Sequence, residues 1–102
     1  MSCEGVALSD LLRKAGALPA EKLPSTMLDH YVVVVARDGY RVTYSLAELD
    51  PETGNRPVYV VDKCAGKELD FEDGPLRLVT PADRRPARWV RQVETVTVYD
   101  PD

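Results

Sequence analysis

From Gly74 to Val98 the chain reads GPLRLVTPADRRPARWVRQVETVTV, and this stretch narrows the folding options more than any other. Pro75 and Pro81 cannot donate to a sheet ladder, so they bracket Leu76 to Val79 as one short strand. A second strand pattern, Val93 to Tyr99, closes the chain, with Val96 and Val98 on one face. Between them lie a turn or short helical stretch at Pro86 to Val90 and an arginine-rich loop. From Arg77 to Arg91, five arginines (Arg77, Arg84, Arg85, Arg88, Arg91) face one acid, Asp83, a local charge of +4. The whole chain carries −4, so the remainder carries −8. A basic loop on an acidic protein is a candidate anion site, because guanidiniums present forked donors suited to phosphate or carboxylate. The alternative is a solvated loop whose arginines pair with neighbouring acids.

The rest of the chain supplies short elements. Leu8, Leu11, Leu12 and Ala15 keep helical spacing, Ser9 and Asp10 can supply the cap and early negative charge, and Gly16 stands where that helix should stop. Val32 to Val35 is apolar at consecutive positions, which predicts a strand covered on both faces. Asp38-Gly39 marks a tight turn into a returning strand in which Tyr40, Val42 and Tyr44 alternate with Arg41, Thr43 and Ser45. A single helical turn ends at Leu49 before Asp50-Pro51. Val58 to Val61 is another strand, and Gly66 marks a turn with Cys64 near its tip. These elements predict an α+β, mainly β domain with one clear N-terminal helix, occupying residues 1–102.

At 102 residues, 44% hydrophobic and 29% charged, the composition is that of one ordinary globular domain. No apolar run approaches a membrane span and no signal peptide is visible, so the expected residence is cytoplasmic for the chain as it stands, or exported if an N-terminal segment precedes it. Cys3, Cys64 and His30 make no metal-ligand pattern. Sequence spacing leaves a Cys3–Cys64 disulfide undecided, and two free thiols are the expectation.

GPLRLVTP, a short basic loop and ARWVRQVETVTV together resemble the end of the oxidoreductase molybdopterin-binding domain, the sulfite oxidase-like family, in its small single-domain form. GVALSDLLRKAGA at Gly5 to Ala17 and DGYRVTYSLAELDP at Asp38 to Pro51 agree in order, so the resemblance covers almost the whole chain. It implies the fold of that family, shortened at its N-terminus. In the family, molybdenum is held by the pterin dithiolene and one cysteine upstream of the GVxLxDLL helix. Cys3 and Cys64 do not occupy that position, so no bound molybdenum is expected and molybdopterin is the cofactor that resemblance alone implies. The family's phosphate-contacting loop corresponds to Ala82 to Trp89, which makes Arg84, Arg85 and Arg88 the candidate cofactor-binding residues. Asp83-Arg84-Arg85-Pro86 departs from the glycine-containing loop and lysine of the larger enzymes.

The resulting expectation is a binding module for an anionic ligand, a pterin phosphate among them, or for an acidic protein partner. The alternative is an oxidoreductase, or a subunit of one, whose cofactor site another chain completes. Neither nucleic acid nor a membrane is an expected partner, and an uncovered sheet edge would favour a homodimer. Trp89 is expected as a core anchor beside Val90 and Val93. His30 reads as a structural histidine and Asp70, Glu72 and Asp73 as a solvated acidic turn.

Overall fold

In the computed structural model, which describes residues 3–19, 21 and 23–101, the valine-rich run becomes β2 (Tyr31–Ala36), the middle strand of a three-stranded antiparallel sheet. Its neighbours are β3 (Arg41–Ser45), aligned through Val34↔Val42, and β7 (Val93–Tyr99), aligned through Val34↔Val96. The turn into β3 works as its residues require. Asp38 accepts a hydrogen bond from the Tyr40 N–H at 3.0 Å, and Gly39 takes φ +92°, a conformation that costs little only without a Cβ. Burial along β2 alternates: Val32, Val34 and Ala36 are buried, whereas Tyr31, Val33 and Val35 are half-buried. The expected cover on both faces is therefore incomplete. The outer row is shielded by its neighbours across the sheet, including Tyr99 stacked on Tyr31 at 5.3 Å.

A second antiparallel sheet is centred on β4 (Tyr59–Cys64). On one side it pairs with β1 (Cys3–Ala7); on the other it pairs with β6 (Arg77–Val79) and, further along, with β5 (Lys67–Glu68). Four of the five residues of β1 are exposed, so no apolar alternation announces it in the sequence. It runs directly into α1 (Leu8–Lys14), whose N-cap is Ala7 instead of Ser9, and the Leu8 N–H donates to the Val58 carbonyl at 2.8 Å. A second short helix, α2 (Leu46–Leu49), starts from a complete capping box between Ser45 and Glu48.

The inner faces of both sheets and α1 share one core, in which Leu8, Val32, Val34, Leu46, Leu78 and Val90 are almost wholly buried. This is a small, mainly β domain whose longer helix is α1. Trp89 is not its anchor: it is half-buried at the edge of the core, and Val90, 1% exposed, fills the interior position. The two cysteines also depart from expectation. Cys3 and Cys64 lie opposite each other on β1 and β4 and are joined in a disulfide, because the unanticipated strand brings together residues 61 positions apart. Among the described residues, no helix is long and apolar enough to cross a membrane.

Leu78 lies at the centre of β6 with no exposed surface, so Leu78→Ala should cost about 2–5 kcal/mol by denaturant unfolding. Val96→Ala on the exposed edge strand should cost less than about 1 kcal/mol. Equal losses at both positions would place the core elsewhere.

Candidate functional site

The five clustered arginines separate into different roles once the chain folds. Arg88 closes a short 3-10 turn, Pro86–Arg88, and its guanidinium turns inward. Nε and Nη2 donate to the two carboxylate oxygens of Asp83, each at 2.8 Å, in a forked pair. Nη1 donates to the Thr43 carbonyl at 3.0 Å and to Glu48 Oε1 at 3.1 Å. The same guanidinium lies 4.2 Å from the centre of the Tyr44 ring. Tyr44 is buried, shares a 2.6 Å hydrogen bond with the Thr80 hydroxyl and donates to the Arg88 carbonyl at 3.0 Å.

The charges follow from this arrangement. Hydrogen bonds from Arg88 hold the Asp83 carboxyl below its ordinary range, and the Asp83 bonds in turn push the Arg88 guanidinium upward. Burial raises the Tyr44 phenol, so its hydroxyl stays protonated as a donor. Arg88 therefore has protein carboxylates where an external anion would bind. Arg84 and Arg85 are exposed and make no hydrogen bond or ion pair among the described residues. Arg91 reaches Asp73 at 3.4 Å from an exposed position.

Arg77 faces a groove that the sequence reading did not single out. On β4, the alternate residues Val60 and, across the ladder, Leu78 point into the core, which turns Val61 and Arg77 to the opposite face. That face carries Gly5, Val61 and Val79 as a floor, with Tyr59 and Trp89 beside it and the Cys3–Cys64 disulfide toward the far end of β4. The groove has a volume of about 570 Å³, within the range of small-molecule sites. Trp89 is fixed there by an Nε1–H bond to the Thr80 carbonyl at 2.9 Å. Gly5 is required at the floor, since a Cβ would lie 2.1 Å from the Val60 carbonyl oxygen.

Arg77 enters this largely apolar space with part of its hydrogen-bonding capacity unused. Its Nη1 is 3.7 Å from Asp73, too long for a strong bond, and its guanidinium carbon is 5.8 Å from the Trp89 ring centre. Its Nε is buried and has no hydrogen-bond partner among the described residues. A buried N–H left unpaired costs about 1–3 kcal/mol, and because Nε is closed to solvent, what Arg77 can offer a ligand comes from the rest of its partly exposed side chain. Among the described residues the other buried side-chain atom without a partner, Asp50 Oδ1, borders none of the principal cavities. The one clue to Arg77 in the sequence is a lone cation inside an apolar three-residue strand.

His30 lies 3.6 Å from Asp100, and Asp73 forms ion pairs with Arg77 at 3.7 Å and with Arg91 at 3.4 Å. Among the described residues, no group of three or more His, Cys, Asp or Glu side chains is placed to hold a metal ion. No protein-family model matches the chain, and no curated protein matches it.

Asp83 gives a pH test of the arginine network. Its carboxyl is lowered in the folded state from an ordinary value of 3.8, so its stabilisation is complete above that value and is lost as pH falls through it toward the folded value. Between about pH 5 and 3 the parent should lose more stability than Asp83→Asn, measured as denaturant midpoints. Arg88→Gln should cost about 1–3 kcal/mol at neutral pH. A variant as stable as the parent would show that the network is dispensable.

Proposed function

We propose that this chain is a small binding module of the molybdopterin-binding-domain type, which takes an anionic heteroaromatic ligand, with a pterin phosphate as the leading candidate, in the groove beside Trp89. The observation that carries this reading is the Arg77 guanidinium, on a side chain that is 27% exposed, lining an otherwise apolar groove beside Trp89. Trp89 and Tyr59 offer faces for a flat ring, and Arg77 offers a cation and free donors for phosphate or carboxylate. The resemblance of GPLRLVTP and ARWVRQVETVTV to that family supports the same ligand class, since Arg77 and Trp89 both lie within those motifs. Arg84 and Arg85 remain available as outer contacts for an approaching anion, whereas Arg88 acts as scaffold.

The oxidoreductase alternative draws less support. Molybdenum in that family takes a protein thiolate, and Cys3 and Cys64 are joined in a disulfide, so neither offers one while that bond stands. The disulfide also favours an oxidising compartment over the cytoplasm.

Neopterin monophosphate should raise the melting temperature by several degrees when present well above its Kd, because binding only the folded state stabilises it. Inorganic phosphate and unphosphorylated neopterin should each act more weakly. Arg77→Gln should remove most of the response, and Arg84→Gln with Arg85→Gln should retain it. If the loop pair abolished the response and Arg77→Gln kept it, the ligand site would lie on the arginine loop and the groove assignment would fall.

A further inference from the structure

The Cys3–Cys64 disulfide borders the same groove as Trp89 and Arg77. Its strand, β1, is an outer strand of its sheet and buries little side-chain surface; even Val6 is 49% exposed. At its C-terminal end β1 is held by Leu8, which is fully buried and donates its N–H to Val58. Toward the other end the ladder is irregular between Glu4 and Gly5, and beyond that break the disulfide is the covalent tie. Two residues that line the groove, Cys3 and Gly5, therefore stand on a strand with a firm inner anchor and a reducible outer one. A strand with little buried apolar surface gains little from packing, so its backbone ladder alone is marginal.

We propose that the Cys3–Cys64 pair is a redox-addressable site that assembles the groove: the oxidised protein has a formed ligand site, and reduction by a small dithiol releases the outer end of β1 and opens that side. Cys3 is the exposed residue of the pair, so the reaction is written at its sulfur. A thiolate of the dithiol attacks the Cys3 sulfur, breaks the S–S bond and releases Cys64 as a thiolate that takes up a proton. The second thiol of the reagent then displaces Cys3, which leaves as a thiolate and is protonated. The dithiol ends as a cyclic disulfide, and two electrons and two protons have passed to the protein. Elsewhere the fold has no reason to open, because β2, β3 and β7 form a separate sheet and the core residues of β4 and β6 stay buried. The consequence for ligand binding rests on the proposed use of the groove; the opening itself does not.

The test compares oxidised full-length protein with protein reduced by dithiothreitol until both thiols titrate. In isotope-labelled protein, cross-strand nuclear Overhauser contacts between Glu4 and Lys63 should vanish on reduction, while those between Val34 and both Val42 and Val96 persist. Acrylamide quenching of Trp89, the single tryptophan, should rise on the order of twofold as the groove opens. The paired change Cys3→Ser with Cys64→Ser should match the reduced parent. Unchanged β1 contacts and unchanged quenching after full reduction would overturn the proposal, as would loss of both sheets together, which would make the disulfide a global staple. Neopterin monophosphate should bind the reduced protein at least about tenfold more weakly than the oxidised protein. Opening on reduction in a protein that never binds this probe would support the gate and overturn the ligand reading alone.

Discussion

The Arg88 guanidinium holds the two halves of this protein in register. It joins Asp83 at the start of its own loop to Thr43 on β3 and Glu48 on α2, over the face of Tyr44. Glu48 also accepts the Ser45 N–H in the α2 capping box, so one carboxylate ends a strand, begins a helix and receives the arginine. Trp89 follows Arg88 immediately and faces the other sheet. Fixing one residue on the β3 side therefore positions the next above β4 and β6, with the Thr80 carbonyl completing the orientation through the indole N–H. A lysine could not reproduce this, because its ammonium lacks the planar fork that meets both Asp83 oxygens.

A cluster of like charges in sequence is thus a poor guide to a common role in space. The five arginines include one structural hub, one groove residue, one partner of an acidic turn and two solvated side chains. What separates them is the local backbone. Arg77 sits on a strand, where alternation aims it away from Leu78 and the core, while Arg84 and Arg85 precede Pro86 in an exposed turn.

Features encoded by neighbouring residues were legible in the sequence. The Asp38-Gly39 turn, the β2–β3 hairpin, α2 before Asp50-Pro51, β6 between its prolines and the closing strand all follow from turn chemistry and alternation over a few positions. β1 was not legible, since a strand with four exposed residues and a glycine carries no periodic signal. Its absence from the reading concealed both the disulfide and the groove, which depend on Cys3 and Gly5 reaching residues some sixty positions away. Trp89 is equally hard to place from sequence: its neighbour Val90 fills the interior, and the Val90 carbonyl accepts the Leu78 N–H, a contact between residues twelve positions apart.

The position of β2 at the middle of its sheet has a consequence for how the chain is made. Its pairing with β3 is local and can form as soon as the hairpin leaves the ribosome. Its other edge must wait for residues 93–99, synthesised more than fifty positions later, with Tyr31 meeting Tyr99. During that interval Val32 to Val35 presents open backbone donors and acceptors on an apolar strand, a template for intermolecular pairing. Nascent chains stalled or cut before Val93 would keep that edge permanently uncovered, so the seven-residue β7 protects the chain from aggregation as well as completing its sheet.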